Sequence, residues 1–297
     1  MLLFAAIMTN TALDTLLLEG RTSERNGIRF CNNITNKTVW DKLADENPTN
    51  AVISASNEAD AAEKSHVQIE DIKSHLKPGD VLLDLGCGYG RVAQYLLPQM
   101  ELGGYIGVDS SYTMLSLFKQ RYATSDSEQR TPLLLVGADI HSVPIQSGSA
   151  DVAIACAVFL HNHKDVIRQT IEETKRVLKP GGKLLTYSSF PRAATLLGIQ
   201  GRLYQMFLNI MGRPFVNGPV RYYSRKEILN LTKDFSEVEI HPFGFTVLPK
   251  TIIFLPRFLD NIWRVGIAEP VNTLLEKVTP LSLKSYFASH YDVVVTK

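Results

Sequence analysis

A glycine-rich segment behind an acidic residue is the part of the sequence best suited to bind a ligand. The stretch VLLDLGCGYGRVAQYL (81–96) passes from an apolar run to a helical pattern through Gly86, Gly88 and Gly90. Glycine permits positive φ and has no Cβ, so a ligand can approach this backbone closely. Dinucleotide sites use the spacing G-x-G-x-x-G, and the carboxylate of Asp84 before the loop would repel a pyrophosphate. The pattern therefore favours a cationic or zwitterionic ligand.

Two more acidic residues end later apolar runs. Asp109 follows Gly90 by 19 residues, a position from which a carboxylate can bind both hydroxyls of a ribose. Asp139 can accept a hydrogen bond from an exocyclic amine, and Ile140 beside it offers an apolar face to a purine ring. One such aspartate alone could equally be a helix N-cap. Three acids at successive strand ends together indicate a ligand with an amine, a ribose and an adenine.

Two histidines in the segment FLHNHKD (159–165) are candidate general bases. His161 and His163 follow the fourth predicted strand, at the same edge of the sheet as the three acids. Histidine titrates near neutral pH and is the most common general base in enzymes. The alternatives are that these histidines cap or pack the following helix, and that no histidine acts as a base.

The elements that must position these residues alternate between strands and helices. Amphipathic helices are predicted from Ser56 to about Leu76 and after Gly90, Ser110 and Lys164. Several strands are continuous apolar runs, as in a parallel sheet buried on both faces. The pattern predicts an α/β fold with a doubly wound, mostly parallel sheet. The strands are predicted at VLLDL (81–85), YIGVD (105–109), LLLVGAD (133–139), DVAIACA (151–157) and KLLTYSS (183–189).

The composition of the 297 residues narrows the class of protein further. A formal net charge of +1 provides no basic field for nucleic acid, so no nucleic-acid partner is predicted. Cys31, Cys87 and Cys156 fit neither a disulfide framework nor a zinc site, which predicts a reducing, cytoplasmic compartment and no metal. The apolar start (1–8) is too short to cross a bilayer, and prolines and charges interrupt the run at 246–259, so no stable membrane insertion is predicted.

Four sequence motifs, in a fixed order, resemble one enzyme family. LDLGCGYGR, GVDSS, GADIHSVPIQSGSADVAIA and RVLKPGGKLL occur in this order and at the family's spacing. The chain resembles the class I S-adenosylmethionine-dependent methyltransferases, in the branch that acts on small molecules, over residues 66–190. The resemblance implies a Rossmann-like sheet of seven strands with an antiparallel last strand, for which YDVVVTK (291–297) is suitable.

The chain is divided on this basis into three segments. Residues 1–55 are predicted to be an N-terminal extension with a lid helix, and residues 56–190 the core that binds S-adenosylmethionine. Residues 191–297 are predicted to add helical cap insertions and closing strands within the same domain. Their aromatic-rich parts, 202–228 and 243–263, are expected either to line the acceptor pocket or to form the core of the cap.

The resemblance also implies a role for each part of the site. The glycine loop would line the methionine moiety, with Asp84 near its amino group. Cys87 would belong to this lining and would not be a catalytic thiol. Asp109 would hold the ribose. The other residues implied to border the ligand are Gly86, Gly88 and Gly90 at the methionine, Ser110 and Met114 at the adenosine, Asp139 and Ile140 at the adenine, and Cys156 and Phe159 at the sulfonium and the acceptor.

The implied reaction is methyl transfer to a small, partly apolar organic acceptor. The cofactor carries an activated methyl group, so the enzyme must mainly align the acceptor, exclude water and, for a hydroxyl, remove a proton. Methylation of oxygen is favoured over nitrogen or carbon. The alternatives are a methyltransferase that acts on a lipid or quinone at the membrane surface, and an S-adenosylmethionine-binding interaction module without catalytic activity.

Overall fold

The computed structural model describes residues 10–31, 34, 41, 58–123, 131–212, 220–249, 252, 259 and 262–297. Within these ranges, nine strands form one sheet in the order β1-β2-β5-β4-β3-β6-β7-β9-β8. Their bounds are β1 Thr22–Arg25, β2 Ile28–Cys31, β3 Val81–Leu85, β4 Gly104–Asp109, β5 Leu133–Gly137, β6 Ala150–Cys156, β7 Leu178–Pro191, β8 Glu237–Phe245 and β9 Ala288–Thr296.

Helices cover the connections between the strands. Short 3₁₀ turns lie at Phe159–His161 and Ser285–Phe287, and a π turn lies at Arg264–Ala268. The α-helices are α1 Asn10–Asp14, α2 Glu58–Ser74, α3 Arg91–Leu96, α4 Tyr112–Ala123, α5 Lys164–Val177, α6 Leu196–Ile210, α7 Arg225–Leu231, α8 Glu269–Val278 and α9 Leu281–Lys284. No helix in the described ranges is long and apolar enough to cross a membrane.

The doubly wound, mostly parallel sheet predicted from the sequence is confirmed. Strand β3 lies at its centre and pairs in parallel with β4 and β6. The last strand, β9, runs antiparallel between β7 and β8. Neighbouring residues of β3 belong to different core clusters, Leu83 with one and Leu82 with the other, so both faces of the sheet are buried.

The sheet has nine strands, whereas the resemblance implied seven. The two additional strands form a hairpin, β1 and β2, and β2 extends the sheet edge parallel to β5. Asn26 and Gly27 connect them, both with positive φ (52° and 66°). Asn-Gly is a favoured two-residue hairpin turn because both positions need positive φ. This Asn-Gly pair is the sequence signal that could have indicated the hairpin in the N-terminal segment.

The other predictions on the fold concern the two ends of the chain. The amphipathic helix expected from Ser56 corresponds to α2, and the closing strands correspond to β8 and β9. Most of the predicted extension at 1–55 and most of 250–261 lie outside the described residues, so the lid helix stays a prediction. The carboxyl ends of β3, β4, β5 and β6 meet at one edge of the sheet, as the strand order requires.

Candidate active site

The turn after β3 is built on glycine because its backbone needs positive φ. Gly86, Gly88 and Gly90 have φ of 68°, 54° and 82°, a region that costs other L-residues about 1–2 kcal/mol. A Cβ at Gly86 would lie 2.6 Å from Cγ2 of Val158, across the edge of the sheet. A Cβ at Gly90 would collide with the ring of Phe118 in α4. Gly86 therefore keeps space open beside β6, and Gly90 lets the loop pack on α4.

A cleft of about 810 Å³, counted with its opening to solvent, lies at the carboxyl edge of the sheet. The structure brings nine of the residues predicted from the sequence together in its lining. These nine are Gly86, Gly88, Asp109, Ser110, Met114, Asp139, Ile140, Cys156 and His161. They come from the ends of four different strands and the turns that follow them, so the sheet topology alone explains why they meet.

Asp109, at the end of β4, is already held by the backbone. Its Oδ2 accepts a hydrogen bond from the Gly88 amide and its Oδ1 one from the Ser111 amide, both at 2.9 Å. Burial raises the pKa of Asp109, hydrogen bonds from the amides of Ser111, Gly88 and Ser110 oppose this shift, and the nearby charge of Asp41 adds to it. A carboxylate offers about four acceptor positions. The backbone amides do not use all of these positions, so acceptor capacity remains for hydroxyl donors in the cleft.

The wall of the cleft at the ends of β4 and β5 is apolar and carries one acidic residue. Met114 and Ile140 are almost fully buried and line the cleft together with Asp139. The amide of Met114 is bonded to Oγ of Ser111, which fixes the first turn of α4 against the cleft. This wall offers flat apolar contact and one carboxylate, a combination that suits a purine with an exocyclic amine.

Four predicted residues lie behind the cleft and are not part of its lining in the described chain. Asp84 is 1% exposed and accepts a hydrogen bond from the Tyr105 hydroxyl; burial raises its pKa to about 7. Burial also raises the pKa of the Cys87 thiol well above its usual value. Gly90 packs against α4, and Phe159 packs its ring edge-on against Phe190, with 5.5 Å between centroids.

The two candidate bases have different environments. His161 lies in the 3₁₀ turn after β6 and lines the cleft, where burial lowers the pKa of its imidazole. His163 is the N-cap of α5: its Nδ1 accepts a hydrogen bond from the Asp165 amide, and its side chain is 62% exposed. Of the two, His161 is therefore the one placed to take a proton from a molecule in the cleft, and it is neutral at neutral pH.

Several lining residues were not singled out from the sequence. Ala157 and Val158 lie between Cys156 and Phe159, the two residues implied to border the sulfonium and the acceptor, whereas Asn162 and Val166 were not considered. Ala157 has a φ of 58°, unusual for a residue with a Cβ, and the chain turns sharply here at the end of β6. Ala157, Val158 and Asn162 lie at or within five positions of the predicted strand end at 157, which is the signal that could have indicated them, whereas Val166 lies in α5. The remaining lining residues are Ala138 and His141.

The charges and the open backbone of the cleft lining fit the ligand inferred from the sequence. The lining contains Asp109 and Asp139 but no Lys or Arg among the described residues. Such a cleft favours cations and would bind a diphosphate poorly. The bare backbone at Gly86 and Gly88 leaves room for a close approach. The sulfonium and ammonium groups, the ribose and the adenine of S-adenosylmethionine match these features.

Comparisons with known proteins agree with this geometry. A family model described as "Methyltransferase domain" matches residues 83–186, which run from β3 into β7. Demethylmenaquinone methyltransferase of Chlamydia caviae is 31% identical over 172 residues, which cover 57% of this chain and 71% of that protein. 2-Phytyl-1,4-naphtoquinone methyltransferase of Nostoc punctiforme is 37% identical over 112 residues, 37% of this chain and 46% of that protein.

Solved structures show the same fold. A structure of a SAM-dependent methyltransferase from Methanosarcina mazei has a TM-score of 0.50 and 16% identity, and the match covers 76% of this chain and 95% of that one. Three of the curated relatives are matched over only 30%, 46% and 57% of their length, so the chain spans about half of them or less. The family model, the Chlamydia relative and the fold agree: this chain belongs to the class I methyltransferases, whose cofactor is S-adenosylmethionine.

Proposed function

We propose that this protein transfers a methyl group from S-adenosylmethionine to a small, partly apolar organic acceptor. The observation that carries the proposal is the cleft, where nine residues inferred from the sequence meet beside an apolar wall. When bound, S-adenosylmethionine supplies a methyl group that is already activated by the sulfonium. The protein then needs to align the acceptor, exclude water and, for a hydroxyl acceptor, remove its proton.

The polar groups of the cleft support a proposed position for each part of the cofactor. We propose that the free acceptor positions of Asp109 bind the ribose hydroxyls and that Gly86 and Gly88 line the methionine part. Asp139 is proposed to accept a hydrogen bond from the adenine amine. Asp84 lies behind the loop and is proposed to act on the amino group through its charge only. The remaining proposed contacts are Ser110, Met114 and Ile140 at the adenosine and Cys156 at the sulfonium, with Cys87, Gly90 and Phe159 supporting them from behind.

The acceptor end is proposed to lie at the turn after β6. His161 lines the cleft there together with Val158, Asn162 and Val166. Because burial lowers its pKa, the imidazole is unprotonated at neutral pH and can accept the proton of a hydroxyl as that oxygen attacks. Loss of that proton is required for an alcohol or phenol and not for a neutral amine. A buried neutral histidine therefore favours methylation of oxygen, and the exposed His163 is proposed only to cap α5.

A second candidate acceptor is a quinone in its reduced form. The relatives from Chlamydia and Nostoc carry quinone methyltransferase names, which is the observation that favours this candidate. A reduced quinone carries ring hydroxyls, and removal of one proton makes both the oxygen and the neighbouring ring carbon more nucleophilic. The same histidine would therefore serve an oxygen or a carbon acceptor. The proposed compartment remains the cytoplasm, with no nucleic-acid partner.

The experiment is a methyl-transfer assay with S-adenosylmethionine labelled at the methyl group. The acceptor panel contains phenols, alcohols, amines and a reduced naphthoquinone with a short side chain. Transfer to a phenol or to the naphthoquinone supports the proposal, and the position of the label separates oxygen from carbon. Binding of the cofactor without transfer to any of these acceptors would favour an interaction module that has no catalytic activity.

A further inference from the structure

The outer surface of α6 is apolar. Six of its large apolar side chains are between 43% and 75% exposed. They recur at steps of three and four residues, so they form one stripe along the helix. We call this stripe the α6 face: Leu196, Ile199, Leu203, Met206, Phe207 and Ile210. A surface helix of a globular protein normally directs such a stripe to the core, and α6 directs it to solvent.

The opposite side of α6 explains this orientation. Gly198 and Gly201 are buried, and a Cβ at either position would collide with the chain beneath, at the Arg192 carbonyl and the Tyr222 hydroxyl. The helix therefore lies on the protein by its glycine side, close to the backbone. The six large apolar side chains of the α6 face have no room there and point outward.

The segment that contains α6 carries basic residues and no acidic ones. Residues 192–226 contain no Asp or Glu, although the chain has 30 of them, and carry six of its 31 Lys and Arg. Arg202 within α6 and both Arg225 and Lys226 at the start of α7 are exposed. The six basic residues of the segment are Arg192, Arg202, Arg213, Arg221, Arg225 and Lys226. The rest of the chain has more acidic than basic residues, so the excess positive charge is concentrated in the segment that carries α6.

Two hydrogen bonds connect α6 to the edge of the cleft. Nε2 of Gln205 in α6 donates to the Val220 carbonyl at 2.7 Å. The next amide, of Arg221, donates to the Leu160 carbonyl at 2.7 Å. Leu160 precedes His161, which lines the cleft. The apolar face and the proposed acceptor end of the cleft are thus joined by a short chain of contacts.

We propose that the α6 face docks on the surface of a bilayer that carries anionic lipids. An exposed apolar stripe flanked by Lys and Arg and free of acids is the pattern of a helix that lies in the membrane interface. The apolar side chains enter the headgroup region and the basic residues contact anionic headgroups. Docking would bring the cleft to an acceptor dissolved in the membrane, a consequence that rests on the proposed function.

Charge argues for a lipid surface over a second copy of the chain. Two copies that paired through the α6 face about a two-fold axis would bring the same basic segment against itself. Like charges at such an interface repel each other. An anionic bilayer neutralises this segment and covers the apolar stripe at the same time.

The test is sedimentation of the full chain with two kinds of vesicle, phosphatidylcholine alone and an equimolar mixture with phosphatidylglycerol. We expect wild-type protein to bind the anionic vesicles, and to bind them less as salt is raised. Replacing Leu203 and Phe207 together by Glu, or Arg225 and Lys226 together by Gln, is expected to weaken binding by about tenfold or more. The matched control is Val67→Glu, an exposed valine on α2 (63%), which should bind as wild type does.

Circular dichroism and the affinity for S-adenosylhomocysteine, measured for every variant, separate lost docking from lost folding or a failed cofactor site. Wild-type protein that stays in the supernatant with anionic vesicles would overturn the proposal. Equal vesicle binding by the Leu203/Phe207 variant would also overturn it. A wild-type dimer in sedimentation velocity that Phe207→Glu converts to a monomer would assign the α6 face to a second copy instead.

Discussion

Replacing Asp109 by Asn tests the proposed ribose contact with little change in shape. In the wild-type protein both carboxylate oxygens accept amide hydrogen bonds at 2.9 Å, from Gly88 and Ser111. The amide of the variant has only one oxygen, so one of these N–H groups meets a nitrogen donor, and the negative charge is lost. We expect the affinity for S-adenosylhomocysteine to fall by about 1.5–3 kcal/mol, roughly ten- to a hundredfold, as for one hydrogen bond to a charged group.

The matched control is Asp151→Asn. Asp151 also accepts a backbone amide hydrogen bond, from Val81 at 2.8 Å, and it pairs with Lys179 at 2.7 Å. It lies at the amino end of β6, away from the cleft. We expect Asp109→Asn to lose about 1–3 kcal/mol of stability, because it leaves a buried amide without its acceptor. Asp151→Asn should lose less, about 1 kcal/mol or below, because its remaining oxygen can still accept from Val81 and the lost partner, Lys179, is 42% exposed. Only Asp109→Asn should lose cofactor affinity.

Isothermal titration calorimetry with S-adenosylhomocysteine, together with urea unfolding, measures both quantities. If Asp109→Asn bound the ligand as tightly as Asp151→Asn while it lost stability, Asp109 would be a structural anchor of the glycine loop and the ribose assignment would be wrong.

Three further perturbations test other parts of the site. His161→Ala should lower the rate of hydroxyl methylation by about 10²- to 10⁴-fold and remove the acid limb of the pH–rate profile. In the wild-type protein this limb should lie below about pH 6.5, because burial lowers the pKa of this histidine. Unchanged rates would exclude His161 as the base, and His163→Ala is the matched control. Gly86→Ala should weaken binding of S-adenosylhomocysteine in calorimetry, because its Cβ would meet Val158 at 2.6 Å. The control Gly148→Ala, at a similar φ of 67° and with no neighbouring atom within 4 Å, should lose only stability, about 1–2 kcal/mol. Equal ligand affinity in both variants would count against a ligand contact at Gly86. Burial raises the pKa of Asp292 to about 6, so the folded state binds more protons than the unfolded state between about pH 4 and 6. The free energy of unfolding should therefore fall as pH rises through this window. Asp292→Asn should flatten this slope in urea unfolding, and an unchanged slope would refute the raised pKa of Asp292.

The sequence was informative wherever one local rule decided the structure. Alternation of apolar runs with helices required a parallel sheet, and a parallel sheet brings Asp109 and Asp139 to one edge. The glycines of the loop could be recognised because glycine adopts positive φ without the steric cost that a Cβ brings, and the loop needs φ between 54° and 82° at three alternating positions. These features depend on neighbours in the chain and on topology, and both can be read without coordinates.

Features that depend on distant packing were not predictable. Nothing near Asp84 in the chain indicates that the Tyr105 hydroxyl, 21 positions later, occupies its oxygen and that the side chain lies behind the cleft. His161 and His163 look equivalent in sequence, and only the turn geometry directs one to the cleft and the other to the start of α5. For the part of α6 that begins at residue 202, the sequence predicts side chains that line the acceptor pocket or form the core of the cap. The pattern could not show that the glycine side would face the protein.

The central claim, that the cleft binds S-adenosylmethionine, is tested most directly by calorimetric titration of the wild-type protein with S-adenosylhomocysteine and, separately, with NAD. We expect binding of S-adenosylhomocysteine at the micromolar level, about −8 kcal/mol, and no heat of binding with NAD, because the described lining of the cleft has two acids and no Lys or Arg. Tight binding of NAD with no response to S-adenosylhomocysteine would contradict it.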